Sequence, residues 1–111
     1  MIHIVTERVT PQQMKDMCEA LQTYVKLAVD VQRRVVAGGG ALHADCEAVL
    51  LEEGSLQQDI WGADWVPVSQ EVRFESLINI RPKAGNRSIA IADPTLRAIL
   101  ETIVRERFTS S

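Results

Sequence analysis

The residues best equipped for chemistry fall in two short stretches. In the first, His43, Asp45 and Glu47 alternate with Ala44 and Cys46. On an extended chain, alternate residues share one face, so an imidazole and two carboxylates would lie side by side. That set suits an acid–base pair with an orienting acid, or a metal with nitrogen and oxygen ligands. Glu75, on a later alternating stretch, is a fourth candidate for such a centre. The second stretch is Arg81-Pro82-Lys83-Ala84-Gly85-Asn86-Arg87-Ser88. There Arg81, Asn86 and Arg87 surround a glycine-permitted turn that could hold a phosphate or carboxylate by bidentate bonds. The competing structural reading is a solvated connection in which Asn86 and Arg87 tie down nearby carbonyls or acids.

These stretches need elements to hold them. Ile2–Val5 is a short β-branched run and reads as a strand. Thr10-Pro11-Gln12-Gln13 combines a cap, an N1 proline and a capping-box partner, and Met14, Met17, Cys18 and Leu21 continue as one helical stripe. Val25, Leu27, Val29 and Val31 alternate with polar residues, as a half-buried strand requires. The alternation slips at Arg33-Arg34-Val35-Val36, where a bulge or bend is expected, and Gly38-Gly39-Gly40 reads as a hairpin turn. Leu42–Glu52 alternates again and is expected to be a strand, with Glu53-Gly54-Ser55 as its turn. A twisted strand follows over Gln57–Val66, with Trp61 and Trp65 on one face as core or interface anchors; stacking on a ligand is the alternative. Pro67–Gln70 is a connecting turn. Val72, Phe74, Ser76, Ile78 and Ile80 make the cleanest long strand of the chain, and Ile89 and Ile91 a short one. Asp93-Pro94 starts a last helix with stripe Leu96, Ile99, Leu100, Ile103 and Val104, and Glu101–Arg105 is spaced as an i,i+4 ion pair. Thr109-Ser110-Ser111 reads as a frayed tail.

The expected fold is therefore α+β: an antiparallel meander of about four to five strands with two helices on one face, in the order β-α-β-β-β-β-α. At 111 residues the chain is expected to form a single domain, 1–111. Helices over Val29, Cys46, Phe74 and Ile78 would leave Lys26, Asp30, His43, Asp45, Glu47, Arg73, Glu75, Asn79 and Arg81 on the other face. That face has three readings. It is a solvated surface laced with ion pairs, a homodimer interface that also uses Val49, Leu51 and Leu77, or a catalytic site.

Composition narrows the function classes. With 46% hydrophobic and 24% charged residues the chain is ordinary globular material. A net charge of −3 gives no basic footprint for nucleic acid, although Arg81, Lys83, Arg87, Arg97, Arg105 and Arg107 make the C-terminal third locally basic. No run approaches the ~20 apolar residues of a membrane span, and MIHIVTERV has neither the basic nor the apolar part of a leader. Cys18 and Cys46 lack zinc-site spacing and read as reduced, buried thiols in a cytoplasmic protein. Neither a cofactor nor a metal is called for.

The strings LHADCEAVLLEEGS, QDIWGADW, VRFESLINIRP, GNRS and DPTLRAILETIVR resemble a family of small uncharacterised prokaryotic proteins, a domain of unknown function. The resemblance runs from MIHIV to the last helix. It implies a bacterial or archaeal cytoplasmic protein of one domain, and it transfers no reaction, cofactor or site residue. The expectation from sequence is a binding protein that acts as a homodimer, with a small anionic ligand as a further partner and no role for nucleic acid or membrane. The alternative is a small hydrolase or nuclease-like enzyme built on His43, Asp45 and Glu47 with Arg81 or Arg87 stabilising an anion.

Overall fold

The computed structural model describes residues 1–109; the fraying expected at Ser110 and Ser111 lies outside them. Its elements in chain order are β1 (His3–Val5), α1 (Pro11–Met17), β2 (Val25–Asp30), β3 (Val35–Gly40), α2 (His43–Glu52), β4 (Ile60–Val66), β5 (Glu71–Arg73) and α3 (Pro94–Phe108). The five strands form one antiparallel sheet in the order β1-β3-β2-β4-β5. The fold is α+β, as the strand and helix patterns imply.

Strands β2 and β4 lie at the sheet centre because both are buried on both faces. In register, Val25 faces Trp65, Leu27 faces Ala63 and Val29 faces Trp61. These side chains meet Met17 of α1 and Leu100, Ile103, Val104 and Phe108 of α3 in one core layer. This is the expected pair of helices on one face. Both helices start as their sequences require: the Thr10 hydroxyl accepts from Gln13 N in a reciprocal capping box, and Asp93 accepts from Thr95 N ahead of Pro94. Glu101 and Arg105 pair at 2.9 Å on α3.

Several expectations fail locally. Helix α1 ends at Met17, so Leu21 of its expected stripe lies beyond the helix. Leu42–Glu52 is helix rather than strand. Only Val49 in His43–Glu52 is β-branched, and the alanines, leucines and glutamates are strong helix formers. Cys46 and Leu50, four apart, bury together against Ala28, Val35, Ala37 and Ile60. The polar alternation of His43, Asp45 and Glu47 is too short to separate a period of 2 from 3.6. Helix α2 thus adds a second core layer on the face expected to be polar, so Val29 and Phe74 belong to one layer and Cys46 and Ile78 to the other. It also carries the chain from β3 to β4 across β2, which breaks the meander.

The reversal expected at Gly38–Gly40 occurs earlier. The Asp30 carboxylate accepts from Gln32 N and Arg33 N, each at 3.0 Å, and Arg34 takes a positive φ of 57°. The glycines instead end β3, where the neighbours come close. A Cβ on Gly38 would stand 2.7 Å from Leu27 Cδ2, and one on Gly39 2.3 Å from the Met1 carbonyl.

The long strand expected over Val72–Ile80 stops at Arg73. Ser76 then caps a single 3-10 turn, Leu77–Asn79, by accepting from Ile78 N at 3.2 Å. Residues 74–92 run as an irregular strap, and the Ile89–Ile91 strand is reduced to one bridge between Glu75 and Ala90. The reason is Asn79. Its fully buried amide takes the place of a strand along β4: Oδ1 accepts from Gly62 N at 2.8 Å and Nδ2 donates to Gly62 O at 3.1 Å.

Candidate functional site

The strap, α2 and the 3-10 turn Gln57–Asp59 enclose two adjoining grooves. The first, about 840 Å³, is lined by Leu77, Ile80, Pro82 and Ala84 above Glu47 and Arg81. The second, about 380 Å³, is lined by Leu42, Leu77 and Ile89 around Lys26, His43 and Asp64. Leu77 stands between them and is 77% exposed.

Two asparagines hold the strap. Besides Gly62, Asn79 Nδ2 donates to the Phe74 and Ile89 carbonyls at 3.3 and 3.2 Å. Asn86 Nδ2 donates to the carbonyls of Asn79, Ser88 and Ala90, and its Oδ1 accepts from Ala92 N at 2.9 Å. Asn86 is therefore committed to the backbone, as the structural reading of that loop expected.

In the first groove, Arg81 Nη2 donates to Glu47 Oε2 at 3.2 Å and Nη1 to the Gln57 carbonyl at 2.7 Å. Its guanidinium lies over the Trp61 ring, 4.8 Å from the centroid. Burial lowers the Arg81 pKa and Glu47 opposes that shift. The floor is thus a charge pair closed on itself; the rest of the lining is apolar wall together with Gln57, Gln58 and Lys83.

In the second groove, His43 Nε2 sits 2.8 Å from Asp64 Oδ1 and 3.1 Å from the Ala63 carbonyl. Both partners accept only, so Nε2 carries a proton. His43 Nδ1 makes no hydrogen bond among the described residues. Across the strands, Lys26 and Arg73 lie opposite Asp64.

The residues singled out from sequence are therefore divided. On helix α2, His43 and Glu47 are four apart and share a side, while Asp45 falls away from both and is exposed. His43 engages Asp64 and Glu47 engages Arg81. Glu75 and Arg87 are exposed, and neither has a hydrogen bond or ion pair among the described residues. Within those residues no three His, Cys, Asp or Glu side chains are placed to hold a metal ion. Cys46 and Cys18 are free thiols whose pKa values burial raises; for Cys46, Lys26 opposes part of that rise. Trp61 and Trp65 are both buried.

Asp64 and Gln57 were missed. Asp64 had a signal: it is an acid between apolar residues of a strand flanked by tryptophans, and a buried acid needs a partner. Gln57 acts through its carbonyl, which any residue possesses, so no signal existed.

Fold and site together describe a small α+β protein with two adjoining grooves and two closed charge pairs. The family model described as protein of unknown function (DUF5674) matches residues 3–107, and the chain belongs to that family. No curated protein and no solved structure matches it. No helix among the described residues is long and apolar enough to cross a membrane.

Proposed function

We propose that the protein works by binding, and that it pairs with a second copy of itself through the first groove. The observation that carries this is the placement of Leu77. An exposed leucine stands beside an apolar groove on the same surface, with Ile80, 43% exposed, on the groove wall. A knob next to a groove is self-complementary under a two-fold axis, because each copy can seat its knob in the other's groove. The Arg81–Glu47 floor needs no charged partner. The lining also carries Lys83, which has no ion pair among the described residues.

The test is sedimentation equilibrium at micromolar concentration. The wild type is expected at twice the chain mass. Ile80→Glu, on the exposed wall, is expected to weaken pairing more than ~10-fold while leaving the melting temperature of the monomer unchanged. A monomeric wild type refutes the proposal.

A further inference from the structure

Residues 74–92 are bonded to one another along their length. Ser76 N donates to Ile89 O at 2.9 Å and Ile91 N to Phe74 O at 3.1 Å, which joins the two ends of the strap in a neck. Across the tip, Arg81 and Asn86 exchange backbone bonds of 2.7 and 3.0 Å. Between neck and tip, the Asn86 amide donates to the carbonyls of Asn79, Ser88 and Ala90 and accepts from Ala92 N. A segment closed on itself in this way keeps its own backbone satisfied if it moves as one piece.

Its attachments to the rest of the fold differ from end to end. At the neck, Ile91 is 1% exposed and Phe74 packs beside it against the first core layer. Further out, two side chains reach other elements by hydrogen bonds: the Asn79 amide meets Gly62, and Arg81 meets the Gln57 carbonyl and Glu47. Ile78 adds a partly buried contact with the second core layer. Water can replace polar partners at small net cost, but it cannot replace a core. The neck is therefore the fixed end and the tip the releasable one.

We propose that residues 76–90 swing as one rigid flap about this neck, with Arg81 as the latch. The Arg81 guanidinium touches α2 through Glu47, the Gln57–Asp59 turn through the Gln57 carbonyl, and β4 through the Trp61 ring, so its release frees the flap from three elements together. Opening also unmakes the first groove. Leu77, Ile80 and Pro82 line it from the flap, and Glu47, Gln57 and Gln58 line it from the body. The consequence for pairing rests on the reading that two copies meet through that groove: pairing then selects the closed flap, and the latch sets how strongly the copies pair.

The experiment is native-state amide hydrogen exchange followed by NMR. The Gly62 N–H reports the flap by itself, because its acceptor is Asn79 Oδ1 rather than a neighbouring strand. The Ser76 and Asn86 N–H groups have acceptors inside the strap and stay bonded when it swings. In the wild type, Gly62 is expected to show a protection factor at least ~10-fold below those of the amides joining β2 to β4. Arg81→Met should lower Gly62 protection by at least ~10-fold more and leave Ser76, Asn86 and the β2–β4 amides unchanged, whereas a general loss of stability would lower all of them alike. If Arg81→Met does not fold, Glu47→Gln replaces it, with a smaller shift in the same direction. Raising the protein concentration should protect Gly62 in the wild type but not in Ile80→Glu, and the Arg81→Met effect should persist in the Ile80→Glu background. Absence of the concentration dependence overturns the link to pairing and not the flap. The flap is overturned if Gly62 exchanges only together with the β2–β4 amides, if Ser76 and Asn86 lose protection with it in the latch variant, or if that variant leaves Gly62 unchanged.

Discussion

Asn79 should be worth more to this fold than any other polar side chain in it. Its amide is fully buried and makes four bonds to backbone: one from Gly62 N, and one each to Gly62 O, Phe74 O and Ile89 O. Asn79→Ala orphans the buried Gly62 N–H and takes the donor from the Gly62 carbonyl, while Phe74 O and Ile89 O keep Ile91 N and Ser76 N as donors. An unsatisfied buried group costs ~1–3 kcal/mol. The N–H bears the largest share, because it has no second site for a partner. The sum is about 3–5 kcal/mol, which for a chain of this size lowers the melting temperature by roughly 12 °C or more. Asn79→Asp discriminates further. The carboxylate can still accept from Gly62 N but faces three carbonyl oxygens it cannot donate to. Burial and those carbonyls raise its folded pKa above the ordinary aspartate value. The added penalty is therefore full above the raised folded pKa and fades as pH falls through it toward the unfolded value of ~3.9. Urea denaturation at pH 7 and pH 5 reads both effects. Asn79→Asp should be the less stable variant at pH 7 and should gain on Asn79→Ala at pH 5. An Asn79→Ala loss below ~1 kcal/mol would refute the reasoning, as would a pH-independent difference between the two variants.

Two further outcomes follow from buried or paired carboxylates. Asp30 is fully buried, accepts from Gln32 N and Arg33 N, and takes the Ser55 hydroxyl at 2.6 Å; Asp30→Ala should cost about 2–4 kcal/mol in urea denaturation, through the β2–β3 turn. Asp16 has its pKa lowered from 3.8 by hydrogen bonds from His3 and Gln12. Its contribution is present above the unfolded value and lost as pH falls through the depressed folded one, so Asp16→Asn should lower stability at neutral pH, converge with the wild type at acid pH and flatten the profile below about pH 4.

How legible the molecule was depends on which signal each segment carried. Capping chemistry was decisive: Thr10-Pro11 and Asp93-Pro94 each placed a helix start, because a cap satisfies orphaned N–H groups by residues local in sequence. The alternation of Val25, Leu27 and Val29 placed β2, although the strand expected to be half-buried is covered on both faces, with Ala28 and Asp30 buried as well. Alternation misled where the residues lacked strand propensity, in His43–Glu52, and where a long-range side chain displaced the ladder, at Asn79. Nothing near Asn79 in sequence announces that Gly62, seventeen positions earlier, is its partner. The triglycine misled for a related reason. Glycine serves both turns and close packing, and the Leu27 and Met1 atoms that require it at Gly38 and Gly39 are distant in the chain.

The same displacement produces the grooves. Had Val72–Ile80 continued as a strand, its backbone would have covered the edge of β4 with a regular ladder. Instead an amide on Asn79 covers that edge at Gly62, and the chain on either side is free to rise away from the sheet. A Cβ on Gly62 would lie 2.5 Å from Ser76 Cβ, so the strap is pinned tightly at that one point. Beside the pins at Asn79 and Asn86, Leu77 and Ile80 are presented outward and Arg81 lies against Glu47 of α2, while Ile78 packs into the second core layer. Rigid presentation of an irregular segment is what a recognition surface needs, because little ordering entropy is then left to lose on binding. Stability and recognition are thus joined at one residue. An Asn79→Ala protein that remains folded should still pair more weakly, although Asn79 does not line the first groove.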